Sequence, residues 1–72
     1  MQQFAPHLLR ERREEQGLSQ TEMAFTIRRT FPTYRLYEVG RYAPNARLLG
    51  VIADALGCRV EDLFEEVPGG AS

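Results

Sequence analysis

The chain has 72 residues, of which 43% are apolar and 26% charged, with a formal net charge of −1 at pH 7; this fits one small globular domain and excludes a disordered or collagen-like chain. One cysteine, Cys58, excludes an internal disulfide, and with a single histidine, His7, it cannot fill a four-ligand zinc site without carboxylates or a second chain. No apolar run approaches the roughly 20 residues of a membrane span and no signal peptide is apparent, so we expect a cytoplasmic protein.

The sequence predicts short helices without strands, and the first two helices have clear boundaries. Pro6 suits a first helical turn because its missing N–H would be unpaired there, and good helix formers follow as far as Gln16. Gly17 ends this helix as a left-handed cap. Ser19 and Glu22 then form a capping box, which opens a second helix of about two turns.

Capping residues also delimit the third and fourth helices. Thr30 is the N-cap candidate of a third helix over about residues 31–39, which stops at Gly40. Asn45 caps a fourth helix, and that helix ends at Gly57.

A fifth, short helix is predicted around residues 60–66, although Arg59 is a poor N-cap where serine or threonine would be expected. We therefore expect five helices in one domain over residues 6–67. Residues 68–72 are expected to form a flexible tail.

The charges are distributed unevenly along the chain. Residues 1–50 carry a net charge of +3 and residues 51–72 a net charge of −4, while residues 28–47 hold five arginines against Glu38 alone. A small nucleic-acid binder can be acidic overall in this way and still present a local basic surface. All nine basic residues are arginine, for which codon bias is a simpler explanation than selection for bidentate phosphate contacts.

Three segments in register resemble one known family: residues 17–24 (GLSQTEMA), 37–44 (YEVGRYAP) and 53–57 (ADALG). They are similar to the lambda-repressor/Cro-like (XRE-type) helix-turn-helix DNA-binding domain, whose opening motif also fits Leu9, Arg10 and Arg13. The resemblance covers about residues 8–66. It implies an all-α, five-helix bundle of bacterial or phage origin, with its third helix in the major groove of double-stranded DNA.

Side chains on the expected DNA-facing side are predicted to hold phosphates, because arginine grips them bidentately and helix N-termini favour anions. These predicted phosphate contacts are Gln20, Arg28, Arg29, Thr30, Arg41 and Arg47. Gln20 could instead be a solvated residue or brace the next helix. The family has glycine at the position of Arg28, and since a left-handed arginine is strained, either the turn is built differently or the strain is accepted.

Four side chains of the third helix are predicted to read bases. Thr33 and Arg35 can hydrogen-bond a base edge, and Arg35 can take guanine O6 and N7 together. Phe31 and Leu36 can pack on thymine methyl groups. Because exposed apolar groups also mark protein-interaction sites, this helix could instead bind a protein partner, as an antitoxin, co-regulator or assembly factor would.

The remaining charged and aromatic residues have expected structural roles. The resemblance implies that Glu38 braces the bundle, and a buried pairing with Arg10 or Arg13 is the obvious candidate. Tyr34 and Tyr37 are expected to face the core with their hydroxyls at its margin. Four acids near the C-terminus are expected to face away from the duplex because phosphates would repel them: Glu61, Asp62, Glu65 and Glu66.

The sequence thus predicts a sequence-specific transcriptional regulator, namely a repressor of phage Cro-type, a restriction-modification controller or a chromosomal repressor. One short helix reads few base pairs, so we expect a homodimer on a palindromic operator. Candidate dimer-interface residues are Val60, Leu63, Phe64 and Val67, although Leu63 and Phe64 could simply close the core. No enzymatic activity, cofactor, metal ion, membrane association or small-molecule effector is expected, since His7 has no partner nucleophile beyond distant Cys58.

Overall fold

The computed structural model describes residues 1–68, most of which are helical. In chain order the elements are β1 (Gln2–Phe4), α1 (Pro6–Glu15), α2 (Gln20–Thr26), α3 (Phe31–Val39), α4 (Ala46–Leu56), a 3-10 helix (Val60–Leu63) and β2 (Phe64–Glu66). No helix within this part of the chain is long and apolar enough to cross a membrane.

The boundaries of α2, α3 and α4 are set by the capping residues that the sequence indicates. The Ser19 hydroxyl accepts from the Glu22 N–H at 3.0 Å, and the Glu22 carboxylate accepts from the Ser19 N–H at 2.8 Å. Asn45 Oδ1 accepts from the Leu48 N–H at 2.8 Å, and Thr30 Oγ1 accepts from the third residue of α3 at 3.3 Å. These bonds satisfy N–H groups that lack partners inside a helix, so each helix begins where its cap stands.

The core lies where α1, α2 and α4 surround α3 and the 3-10 helix. α3 packs against both α1 and α2, while the 3-10 helix packs against α1 and α4. The largest fully buried side chains are Leu9, Met23, Tyr34, Ile52, Leu56 and Leu63. Each buried aliphatic side chain of this kind stabilises the fold by about 1.5–3 kcal/mol relative to leaving it in water. The core therefore fixes the position of α3 from several sides.

The predicted fifth helix and the predicted absence of strands are both wrong. Residues 60–63 form only a 3-10 helix, and at Phe64 the backbone becomes extended, with φ −114° and ψ 152°. Residues 64–66 then pair antiparallel with residues 2–4, in the register Gln2 with Glu66 and Phe4 with Phe64. The two phenylalanine rings meet edge to face at 6.4 Å. Arg59 supplies no side-chain oxygen to cap a helix, whereas β1 supplies a partner for an extended strand.

The ends of the folded unit also differ from the sequence-based boundaries. The predicted domain began at residue 6, but β1 belongs to the fold and Ala5 is fully buried, with its N–H bonded to the Leu63 carbonyl at 2.9 Å. Pro68 is exposed and has no regular structure. The rest of the predicted tail, residues 69–72, lies outside the described residues.

Candidate nucleic-acid interface

A buried network of polar side chains centred on Glu38 joins α1, α2 and α3. Arg13 donates to both carboxylate oxygens, from Nε at 2.6 Å and from Nη2 at 3.2 Å. The Tyr34 hydroxyl donates to Oε2, and Gln20 Nε2 donates to Oε1 at 2.9 Å. A further bond from Arg13 Nη1 reaches the Leu18 carbonyl at 2.8 Å. The expected pairing of Glu38 is thus confirmed, with Arg13 and not with the exposed Arg10.

This network holds Glu38 as a carboxylate. Burial acts to raise the pKa of Glu38, but hydrogen bonds from Arg13, Tyr34 and Gln20 outweigh it and leave the pKa below its usual value. The hydrogen bond to Glu38 raises the pKa of Arg13. Burial, followed by the bond to Glu38, raises the pKa of the Tyr34 hydroxyl. Three helices are therefore locked together by charge-assisted bonds whose removal would leave a buried charge unpaired.

Gln20 has the bracing role that sequence reasoning left open as an alternative. It is half-buried as the first residue of α2, and one of its amide N–H groups is committed to Glu38 on α3. The side chain amide carries a second N–H. The network therefore fixes the orientation of Gln20 and leaves one donor of its amide group for another partner.

The turn between α2 and α3 keeps the left-handed conformation that glycine supplies elsewhere in the resembling family. Arg28 has φ +60°, which makes it the one residue other than glycine with a positive φ in residues 1–68. The turn is closed by the Arg28 N–H on the Phe25 carbonyl at 3.1 Å and the Arg29 N–H on the Ala24 carbonyl at 2.9 Å. Of the two alternatives from the sequence, the strain is accepted rather than the turn rebuilt.

α3 presents different chemistry on its two faces. Tyr34 and Tyr37 are buried, as predicted, with their rings edge to face at 6.4 Å. The Tyr34 hydroxyl is itself buried on Glu38 and does not lie at the margin of the core as expected. On the outer side Phe31 is 42% exposed and Arg35 is also exposed. The other two predicted base readers, Thr33 and Leu36, are half-buried, and Thr33 Oγ1 accepts a hydrogen bond from the Thr30 hydroxyl at 3.0 Å.

Arginines from separate parts of the sequence meet at one groove beside the turn. This arginine groove has a volume of about 330 Å³ and is lined by Thr26, Ile27, Arg28, Arg29, Asn45, Arg47, Leu48 and Val51. It brings Arg47 from the first turn of α4 next to the two turn arginines. Arg41 does not line it and lies in the loop after α3, where its N–H bonds the Leu36 carbonyl at 3.0 Å.

The arginines of residues 28–47 differ from most others in the chain in having no carboxylate partner within residues 1–68. Arg12, Arg13 and Arg59 each pair with an acid, whereas the five unpaired arginines of this stretch are Arg28, Arg29, Arg35, Arg41 and Arg47. Glu38 is the single acid in the stretch, and its charge is used internally by Arg13. The surface around α3 therefore keeps an uncompensated positive charge suited to an anionic partner.

The acidic side chains of the C-terminal segment contact residues outside the stretch 28–47. Asp62 lies 3.8 Å from Arg12 Nη2, and Glu65 lies 3.6 Å from His7 Nε2. Glu66 pairs with the Met1 amino group, and Glu61 lies 3.8 Å from Arg59 Nη1. None of these contacts involves an arginine of residues 28–47. The two charge signs are therefore separated on the molecule.

The predicted dimer-interface residues are largely used within the chain. Leu63 is fully buried in the core, and Phe64 is half-buried against Phe4, as the alternative interpretation held. A side chain that is wholly inside its own core has no surface to offer a partner, so including Leu63 was wrong. Val60 and Val67 are half-buried.

Sequence reasoning did not find three features of this surface. The apolar part of the groove lining combines Ile27, which follows α2, with Leu48 and Val51 of α4, which are distant in sequence. Asn45 lines the same groove besides capping α4. Phe25 on α2 is 84% exposed, and its place on the outer side of an amphipathic helix could have been read from the inward spacing of Met23, Ala24 and Ile27.

Comparison with known proteins agrees with this geometry. The family model described as helix-turn-helix matches residues 9–63. The chain belongs to the helix-turn-helix family. This domain is 45% identical over 58 residues to an uncharacterized HTH-type transcriptional regulator from Methanothermobacter thermautotrophicus, covering 79% of this chain and 84% of the relative. The XRE-like resemblance in the sequence is thereby confirmed.

Solved structures with this helix-turn-helix fold occur within longer proteins of different kinds. The clp gene regulator ClgR from Corynebacterium glutamicum superposes with a TM-score of 0.76 and 29% identity, over 81% of this chain and 62% of ClgR. Hydroxypropylphosphonic acid epoxidase from S. wedmorenis superposes with a TM-score of 0.78 and 28% identity, over 83% of this chain but only 32% of the epoxidase. The family and the relative from Methanothermobacter thermautotrophicus support a DNA-binding regulator.

Proposed function

We propose that the protein is a cytoplasmic, sequence-specific transcriptional regulator that binds double-stranded DNA and acts as a repressor, with α3 in the major groove. The observation that carries this proposal is the set of arginines in residues 28–47, which have no carboxylate partner among residues 1–68. A duplex presents rows of phosphates, and neutralising them supplies most of the non-specific affinity.

Phosphate contacts come from both ends of α3 in this proposal. Arg28, Arg29 and Arg47 bind one stretch of backbone from the arginine groove, and Arg41 binds from the loop after α3. Gln20 adds a neutral donor through its second amide N–H, and Thr30 adds its backbone N–H, because the Thr30 hydroxyl already donates to Thr33 Oγ1. These contacts orient α3 without reading sequence.

Base readout is assigned to the outer side of α3. Arg35 is exposed and has no carboxylate partner among residues 1–68, so it is available to take guanine O6 and N7 together. Thr33 adds a hydroxyl already oriented by Thr30. Phe31 and Leu36 supply apolar surface for thymine methyl groups.

A homodimer on a palindromic operator completes the proposal. α3 has nine residues, and one short helix contacts only a few base pairs, so two copies are needed for a specific site. Half-sites one helical turn apart, about 34 Å, are then expected.

The salt dependence of DNA affinity tests the proposed phosphate contacts. Titrating a labelled duplex at several salt concentrations by fluorescence anisotropy should give a linear fall of log affinity with log salt concentration. Arg29→Ala, Arg41→Ala and Arg47→Ala should each flatten the slope by about 0.9.

Arg59→Ala is the matched control, since it removes the same charge from a residue that pairs with Glu61 away from α3. Its slope should equal that of the wild type. Equal slopes in all four variants, or a flatter slope in Arg59→Ala alone, would contradict the proposed phosphate contacts.

The second candidate function is a protein-interaction module, which the exposed aromatic residues favour. Phe25 is 84% exposed and Phe31 is 42% exposed, and exposed apolar groups mark protein contacts. In that case the complex would respond little to salt, Leu36→Ala would abolish partner binding, and the arginine variants would leave it unchanged.

A further inference from the structure

The two-stranded sheet has two outer edges with different chemistry. Ala5 N–H bonds the Leu63 carbonyl, and Val67 N–H bonds the Met1 carbonyl. These bonds place Gln3 and Glu65 in a hydrogen-bonded pair, because bonded and non-bonded pairs alternate along an antiparallel ladder. The N–H and C=O groups of the residues on either side therefore point outward: Gln2 and Phe4 on the β1 edge, and Phe64 and Glu66 on the β2 edge.

The outward groups of β1 have no hydrogen-bond partner among residues 1–68, and neither Gln2 nor Gln3 is shielded, since both are exposed. Natural proteins protect such edges with very short strands, charged side chains, proline or covering segments. β1 carries two glutamines and Phe4, and none of these is charged or proline. β2 carries Glu65 and Glu66. Both strands are short, but only the β2 edge carries charged side chains.

We propose that the β1 edge is a self-association surface, at which β1 of a second copy of this chain pairs antiparallel to form a four-stranded sheet. The two-fold axis passes between the two Gln3 residues, and Gln2 of each copy pairs with Phe4 of the other. Each strand then offers two N–H and two C=O groups to its partner, so all outward groups of both β1 edges are satisfied. The inference deepens the proposed homodimer by naming its interface.

Charge selects this edge over the other possible pairings. The equivalent two-fold pairing of two β2 strands would place the two Glu65 carboxylates directly opposite each other, which destabilises a sheet. Pairing β1 of one copy with β2 of another would leave a free edge at each end and continue into an open fibre, whereas the β1 pairing closes as a dimer.

The side-chain faces also agree in the β1 pairing. Cross-strand partners share a face, so Phe4 and Phe64 of both copies lie on one face of the four-stranded sheet, where each is already half-buried against its own core. Gln3 and Glu65 of both copies lie on the other face. The contact is short compared with interfaces of stable dimers, so we expect weak association in free solution.

Disulfide trapping tests the register directly. Opposed residues of a non-hydrogen-bonded antiparallel pair have Cα atoms about 4.5 Å apart, a separation that a disulfide spans. Gln3→Cys in a Cys58→Ser background should therefore form covalent dimers under mild oxidation at least about tenfold faster than the matched control, Glu65→Cys in the same background. In the proposed dimer the Glu65 positions are about 14 Å apart, three strand spacings.

Sedimentation without DNA supplies the second measurement. In the proposed dimer Gln3→Lys places two lysines opposite each other across the two-fold axis, so dimer affinity should fall about fivefold or more. Within its own chain the new lysine lies opposite Glu65, so the monomer should stay folded. Mixing Gln3→Lys with a Gln3→Glu chain that also carries Glu65→Gln, which removes the carboxylate facing the new one, should restore association as a heterodimer.

Faster trapping of Glu65→Cys, or a dimer unaffected by Gln3→Lys, would overturn the assignment of the β1 edge. If neither cysteine variant is trapped and only monomers sediment, the inference fails although DNA binding measured by anisotropy can still hold. Loss of DNA binding with an intact Gln3-trapped dimer would instead overturn the proposed function alone.

Discussion

Removing the charge of Glu38 while keeping its shape tests the network that joins α1, α2 and α3. In Glu38→Gln the Arg13 guanidinium, whose side chain is only 10% exposed, would lose its buried counter-charge and keep only the exposed carboxylate of Glu14, 3.8 Å from its Nη2. Deleting one partner of a buried pair costs about 3–5 kcal/mol, because the other charge stays buried. The glutamine oxygen can still accept one bond from Arg13, so we expect a loss of about 3 kcal/mol. At 0.05–0.15 kcal/mol per residue the whole domain has only about 4–11 kcal/mol.

Urea unfolding at pH 7, followed by circular dichroism, measures this loss. Glu61→Gln is the matched control, because Glu61 is 60% exposed and lies 3.8 Å from Arg59. Exposed pairs contribute little, so the control should change the free energy of unfolding by less than about 0.5 kcal/mol. A loss below about 1 kcal/mol in Glu38→Gln, or an equal loss in the control, would refute the reasoning.

The same variant has a predictable pH dependence. The pKa of Glu38 is lower in the folded chain than its ordinary value near 4.3, so the folded state binds fewer protons than the unfolded state. The stabilisation is then fully present above the unfolded pKa and is lost as the pH falls through the folded pKa. Between pH 6 and pH 3 the free energy of unfolding should therefore fall less in Glu38→Gln than in the wild type.

Three further variants test local features of the fold. Arg28→Gly should raise the free energy of unfolding by up to about 1 kcal/mol, because glycine relieves the strain at φ +60°. The same variant should bind DNA more weakly, because a phosphate contact is lost. A fall in both stability and DNA affinity would contradict the phosphate role. Gly40→Ala should destabilise by about 1–2 kcal/mol in thermal unfolding, since Gly40 has φ +85° and the added Cβ would lie 3.4 Å from Pro6 Cγ. Because the pKa of Tyr34 is raised above its ordinary value near 10, wild-type stability should decline as the pH rises above 10, and Tyr34→Phe should lack that part of the decline in alkaline unfolding curves.

Features set by nearby residues could be predicted from the sequence. The caps at Ser19, Thr30 and Asn45 need only residues within one helical turn, so the sequence suffices to place α2, α3 and α4. The left-handed arginine at position 28 was one of two alternatives that the family resemblance left open, and the sequence alone did not decide between them.

Features that depend on distant residues could not be predicted in this way. β2 is a strand because β1, at the other end of the chain, supplies its hydrogen-bonding partner, and neither three-residue segment has a periodicity that indicates pairing. The arginine groove likewise depends on the packing of α4 beside the turn, which brings Arg47 to Arg28. In both cases tertiary contacts decide what local preference leaves open.

Selection of bound duplexes from a random pool tests the central claim, that α3 reads DNA sequence. The wild type should enrich a palindromic site with a G·C pair in each half, and Arg35→Ala should keep binding but lose preference at that one position per half-site, which corresponds to about 1–3 kcal/mol of discrimination. Enrichment of no sequence by the wild type, or an unchanged base preference in Arg35→Ala at full affinity, would contradict the assignment of α3 as the recognition helix.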